Sequence, residues 1–255
     1  MFKTHRDLNM RLDLEVISTL VKPGSRVLDL GCGDGSFLRH LRTDRQADVL
    51  GIEIDPALVG RCIANNVPVV QWDFSEPLSF LEDQSFDLVI LSQTLQENTA
   101  PDKLLQEIVR IGKHAAVSVI NFAHFSCRFQ LMFKGEMPRT PQIPYHWYDT
   151  PNIHLSTIDD FRKLCCELGF QIEEEIPIPA RFPRLSKLCP NFFAVGGVFV
   201  LKQGSKESIL FSHSPPQKHS MCYSAGFSFS ISSSAAVKVT IFPSGKRSSG
   251  TAKGR

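Results

Sequence analysis

Val27-Leu28-Asp29-Leu30-Gly31-Cys32-Gly33-Asp34-Gly35 reads as a buried strand that ends in a glycine-rich turn and opens a helix. In an open α/β sheet that turn borders the crevice where a nucleotide-like ligand is held. Ile52-Glu53-Ile54-Asp55 follows about twenty residues on, with an acid where the second strand ends, the position from which a carboxylate accepts from ribose hydroxyls. The dinucleotide fingerprint requires a third glycine at position 36, where this chain has Ser36, and no Gly-Lys-Ser/Thr follows for a Walker loop. Asp29 and Asp34 flank the turn and would repel a pyrophosphate. An ammonium and a sulfonium, with a single carboxylate, suit two acids and free backbone N–H groups. That combination is S-adenosylmethionine (SAM) or, after loss of the methyl, S-adenosylhomocysteine.

Working outward, near-continuous apolar runs at 26–30, 49–54, 67–71, 86–91 and 115–120 predict parallel strands covered on both faces. Helical segments at 36–42, 56–65 and 101–111 alternate with them, after a first helical stripe between Leu12 and Val21. Asp55-Pro56 supplies an N-cap and a first-turn proline. The result is an α/β fold with a doubly wound, Rossmann-like sheet. Past 120 the pattern changes. Residues 121–155 are rich in aromatic residues, His and Pro without a sustained period, and read as a cap or insert. Thr157 then starts a helix with Asp160 in the capping-box position, and Gly169 ends it. Phe170–Ile176 and Phe192–Leu201 predict two closing strands, for a mostly parallel sheet of seven with an antiparallel edge strand.

Charge is unevenly distributed. Residues 205–255 carry seven Lys/Arg against the single acid Glu207, whereas residues 1–204 carry 21 basic and 25 acidic side chains. The net +2 therefore belongs to a tail with fourteen serines, expected to be disordered, with one strand-like patch at 227–231 and 237–241. The domain proper spans 1–204. An acidic body without base-flipping motifs argues against nucleic acid as partner. No apolar stretch reaches membrane-spanning length and no signal-peptide core follows Met1, which predicts a cytoplasmic protein without a membrane partner. The seven cysteines lack any C-x-x-C spacing and fit reduced thiols better than a zinc site.

Acids at the ends of successive strands order themselves along the expected ligand. Asp29 faces the methionyl ammonium and Glu53, with Ile54 beside it, the ribose. Asp73 and Phe74 in Gln71-Trp72-Asp73-Phe74 meet the adenine, while Gly31, Cys32 and Gly33 allow close backbone approach. After the fourth strand comes Leu91-Ser92-Gln93-Thr94-Leu95-Gln96, where many methyltransferases line the donor methyl. Gln93 can orient a ligand but is no base, and Ser92 lacks nucleophile-elbow glycines. Further candidates lie in Tyr145-His146-Trp147-Tyr148-Asp149-Thr150-Pro151-Asn152-Ile153-His154: Tyr145, His146, Asp149 and His154 as wall or acid–base groups, with His124 bordering the same pocket. A metal held by His146, Asp149 and His154 is the weaker alternative, and no metal is expected.

These stretches, from Asn9 to Lys202, resemble the methionine biosynthesis protein MetW family. The glycine turn and Gly51-Ile52-Glu53-Ile54-Asp55 occur across methyltransferases. Leu91–Gln96 and Tyr145–His154 are far more particular. The resemblance implies a class I methyltransferase fold and a role in methionine formation beside a homoserine O-acyltransferase partner. It leaves open whether SAM is consumed or only sensed. The Glu97-Asn98-Thr99 turn, the basic, Pro-rich Arg181–Cys189 segment and the serine-rich tail depart from the family pattern. Two functions follow: a SAM-binding auxiliary protein acting through the acyltransferase, or a methyltransferase acting on a small molecule.

Overall fold

The computed structural model describes residues 10–74 and 76–204, so the expectations for the 205–255 tail and its strand-like patch lie outside the described residues. Strands β1 (Arg26–Leu30), β2 (Asp48–Glu53), β3 (Val69–Gln71), β4 (Phe86–Ser92), β5 (Gly112–Ile120), β6 (Phe170–Pro179) and β7 (Ala194–Gln203) form one sheet in the order β3-β2-β1-β4-β5-β7-β6. The pairs among β1 to β5 are parallel, β7 runs antiparallel to β5, and β6 runs antiparallel to β7. The fold is the Rossmann-like sheet of class I methyltransferases. The reversed strand β7 lies one place in from the edge, which β6 closes. Strand order departs from chain order between β1 and β4, and a crevice opens at the carboxyl ends of those strands.

Side chains alternate across the sheet and sort into two cores. Leu28, Leu30, Val89, Leu91, Val117 and Phe199 pack on one face with α4 (Pro101–Ile111) and α6 (Ile158–Glu167). Val27, Val49, Leu88, Ile90 and Ala116 pack on the other with α1 (Leu12–Leu20) and α2 (Ser36–Arg45). Each fully buried Leu, Ile or Val contributes about 1.5–3 kcal/mol against exposure. The same parity carries Asp29, Ser92 and Ser118 to the face that α1 covers, and this brings polar groups under the start of that helix.

The helix signals held where they were local. Asp55 caps α3 (Pro56–Ala64), its Oδ1 accepting from Ala57 N at 2.8 Å. Thr157 and Asp160 form the reciprocal capping box of α6, and Gly169 follows it with φ +71°. Three helices had no clear period. α5 (Phe125–Lys134) buries only Cys127 fully and leaves Phe129, Met132 and Phe133 exposed, so its apolar residues do not form one inward stripe. Its stop signal was present in Lys134-Gly135, with Gly135 at φ +67°. α7 (Pro183–Leu188) and α8 (Pro190–Phe193) are short, each opened by a proline in its first turn, within the stretch expected to be a Pro-rich connection.

Candidate functional site

The turn after β1 is built by hydrogen bonds to β2. Gly31 N and Cys32 N both donate to Ile52 O (2.8 and 3.2 Å), and Gly35 N donates to Cys32 O. Gly31 sits at φ +77°, and a Cβ there would meet Thr94 Oγ1 at 3.0 Å. Gly35, at φ +74° before α2, would place a Cβ 2.9 Å from Cys62 Sγ. Left-handed backbone and tight surroundings together make these two glycines obligatory. Cys32 and Cys62 lie with their sulfurs 3.8 Å apart as free thiols, and burial raises the pKa of both. Asp34 accepts from the Ser36 hydroxyl, from the Ser36 amide at 3.0 Å and from its own amide, and these bonds lower its pKa.

Glu53 is buried at the end of β2 and acts as the turn's anchor. Its Oε2 accepts from Gly33 N at 2.9 Å, and its Oε1 accepts from Ile54 N and Asp55 N at 2.9 and 3.1 Å. A carboxylate offers about four acceptor directions, so three amides leave room for one ligand hydroxyl. Ile54 turns its side chain to solvent beside it. Asp73 is exposed after β3, with its carbonyl accepting from Glu76 N. Phe74 packs partly against the core, and the neighbouring Trp72 meets Phe80 edge to face at 5.0 Å.

Asp29 differs from the other acids. It is 5 % exposed and accepts no hydrogen bond among the described residues. Burial pushes its pKa up to about 7, Arg11 pulls it back, and Glu53 and Asp13 add to the rise. Such a carboxyl is a vacant partner for a cation.

Beyond Gly31 lies a cavity of about 540 Å³, lined by the start of α1, the Ser92–Thr94 turn, the end of β5 and the cap residues Gln142, Tyr145 and Asn152. Its polar floor was missed at the level of sequence. Asp13, 2 % exposed, accepts from Ser92 Oγ and Ser118 Oγ at 2.8 Å each, and from Arg11 Nε and an Arg11 terminal nitrogen at 3.2 and 3.1 Å. Arg11 also donates to Ser92 Oγ. The signal was Asp13 inside the helical stripe, an acid one place from its apolar positions. Gln93 lines the same cavity at φ +58°, held by donation from its amide to Ser118 Oγ at 3.0 Å, a strained backbone of the sort that clusters at sites.

The candidates in the cap separate. Tyr145 reaches the cavity. His146 stacks on Tyr148, and its amide donates to Asp149 Oδ1 at 2.6 Å. His154 lines a separate void of about 10 Å³ beside Gln96. Among the described residues no three His, Cys, Asp or Glu side chains come together as metal ligands. His124 is buried as the N-cap of α5, its Nδ1 bonded to Ser126 Oγ at 2.7 Å, and it does not line the cavity. Two distant stretches do meet: Ile153 N and His154 N both donate to Gln96 O, at 2.9 and 3.0 Å. This joins Leu91–Gln96 to Tyr145–His154, the two particular segments of the sequence.

Residues 11–201 match the family of methionine biosynthesis protein MetW. The chain belongs to the MetW family. A relative in Rhodopirellula baltica, the bifunctional methionine biosynthesis protein MetXA/MetW, is 32 % identical over 179 residues, which cover 67 % of this chain and 29 % of that protein. The chain thus spans less than a third of that relative's length. Among solved structures, a SAM-dependent methyltransferase from Archaeoglobus fulgidus superposes with a TM-score of 0.55 at 17 % identity, covering 74 % of this chain and 94 % of that one. An S-adenosylmethionine-dependent methyltransferase from Mesorhizobium loti gives 0.54 at 17 % identity, covering 74 % and 96 %. At those identities the likeness establishes the fold. No helix among the described residues is long and apolar enough to cross a membrane.

Proposed function

We propose that this MetW-family protein binds SAM or S-adenosylhomocysteine at the β1–β2 edge and, in the cytoplasm, supports or regulates a partner homoserine O-acyltransferase. The residues suit such a ligand. Asp29 supplies a buried, unpaired carboxyl for the ammonium, and Glu53 keeps one acceptor direction for a ribose hydroxyl. Ile54, Asp73 and Phe74 would bound the adenine, and Gly31, Cys32 and Gly33 bring backbone close. When bound, SAM carries a transferable methyl group. The observation that carries the partner reading is the R. baltica relative, named for MetXA and MetW in one polypeptide, since fusion keeps two cooperating proteins at high effective concentration. The cap joined to the Gln96 carbonyl supplies a second element, one that links the cavity to an exposed surface.

The test is the rate of the purified acyltransferase with and without the MetW chain, in the presence and absence of SAM. A rate that rises or falls on addition supports the reading, and an unchanged rate with both proteins folded overturns it. A second reading, methyl transfer to a small molecule, is favoured by the cavity itself. Glu97, whose carboxyl burial holds above its ordinary range, and Tyr145 both line it. Turnover of labelled SAM that Glu97→Gln abolishes would favour this second reading.

A further inference from the structure

A ligand whose amino-acid end is zwitterionic needs an anion and a cation within one pocket. The glycine turn was expected to hold the carboxylate with its free N–H groups, and the structure leaves none free among those it shows. Gly31 and Cys32 donate to Ile52 O, Gly33 to Glu53, Gly35 to Cys32 O, Ser36 to Asp34, and the Asp34 amide faces its own carboxylate. The negative end must therefore find a side-chain cation. Among the described residues the cavity beside Gly31 has one cationic lining residue, Arg11. Its guanidinium is clamped from behind by buried Asp13, which Ser92 and Ser118 also hold, so the fork is fixed in direction. Its second terminal nitrogen makes no hydrogen bond in this clamp, and the side chain remains 48 % exposed toward solvent and cavity.

Resting on the cofactor reading above, we infer that Arg11, positioned by the Asp13–Ser92–Ser118 knot, binds the carboxylate of the ligand's amino-acid end while Asp29 takes its ammonium. The pair makes the pocket selective for adenosyl compounds that retain the whole amino acid. Arginine suits the task because its planar fork can present N–H groups to two acceptors at once, Asp13 on one edge and a ligand carboxylate on the other.

Calorimetry on the full chain with three probes tests this: S-adenosylhomocysteine, its decarboxylated analogue, and methylthioadenosine, which lacks the amino acid entirely. The unmodified protein should bind S-adenosylhomocysteine at least tenfold more tightly than the decarboxylated analogue. In Arg11→Gln that ratio should collapse towards one while methylthioadenosine affinity stays unchanged, and Arg11→Lys should recover part of it. Should Arg11→Gln fail to fold, the ratio in the unmodified protein and in Arg11→Lys still decides. Equal affinity for the acid and its decarboxylated analogue overturns the inference, as does an Arg11→Gln protein that keeps the full preference or loses all three probes equally. Absence of binding by every probe in the unmodified protein instead overturns the cofactor reading beneath it.

Discussion

The glycine turn Gly31–Gly35 and the cap over 121–155 both border the cavity, and their backbones are held in different ways. In the turn, the amides go to acceptors at the end of β2, Ile52 O and the Glu53 carboxylate, and to Cys32 O within the turn. The outer cap, past Gly135, is tied mostly within itself and to α5 rather than to the sheet. Thr140 and Ile143 exchange a pair of bonds, Gln130 holds Arg139, and Ile153 and His154 donate to Gln96 O. Between those ties Tyr145, Trp147, Tyr148, Ile153 and Leu155 are exposed. The contrast teaches that one border is prearranged by the fold, while the other leaves its large apolar side chains uncovered. Mutations should weigh on stability in the first and on binding in the second.

The largest effect should come from Asp29. Its folded pKa of about 7 lies above the ordinary 3.8, so the native state holds a proton that the unfolded chain has lost. Stability therefore falls as pH rises between about 4 and 7 and levels off above, by an amount bounded on the order of 4 kcal/mol. Asp29→Asn should flatten this slope and raise stability at pH 8, and a cationic ligand should bind the unmodified protein more tightly at pH 8 than at pH 6. Urea unfolding across pH decides. Parallel curves for the two proteins would show that Asp29 is not the group that titrates.

Glu53→Ala is next, set against Asp149→Ala in the cap. Removing Glu53 strands three amides in a part-buried turn, at about 1–3 kcal/mol for the first and less for those that water reaches, so a loss of about 3 kcal/mol is expected. Asp149 serves one exposed amide, and its loss should cost under about 1 kcal/mol. Denaturation midpoints for the two variants measure the contrast, and similar losses would erase it.

This asymmetry also governs what was legible in the residues. The turn could be read because glycine positions, a strand-end acid and their spacing are consequences of backbone geometry that recurs wherever the chain makes this crossover. Even there the assignment of the N–H groups failed, since Glu53 serves as an internal acceptor before any ligand arrives. The Arg11–Asp13–Ser92–Ser118 knot was not legible, because its hydrogen bonds span up to 105 positions and form only through strand parity and the docking of α1. In the cap, the composition announced a wall but not which residues face inward. Tyr145 and Asn152 do, whereas His146 and Asp149 bond to near neighbours.

A smaller effect is expected where the regions join. Gln96 is 3 % exposed, and neither atom of its amide has a partner among the described residues, beside a void barely large enough for one water. Gln96→Leu removes both polar atoms while leaving the carbonyl that holds Ile153 and His154. If the void is dry, thermal denaturation should show the variant unchanged or more stable by about 1 kcal/mol. A loss of that size would instead reveal a water bridging the amide to the cap.

The smallest effect on the fold should come from Trp147, 74 % exposed at the cap's outer surface and in edge contact only with Tyr148 at 5.6 Å. Trp147→Ser should move stability by no more than about 0.5 kcal/mol, the range for surface positions without buried partners. Adenosyl binding should also be unchanged, since Trp147 does not line the cavity. If the cap is a recognition wall, the same variant should still weaken association with the acyltransferase, because exposed aromatic side chains dominate interface energies when they become covered. Association measured by surface plasmon resonance separates the cases. A variant indistinguishable from the parent in both stability and association would make this part of the cap a passive cover, and would leave the turn as the more consequential of the two borders.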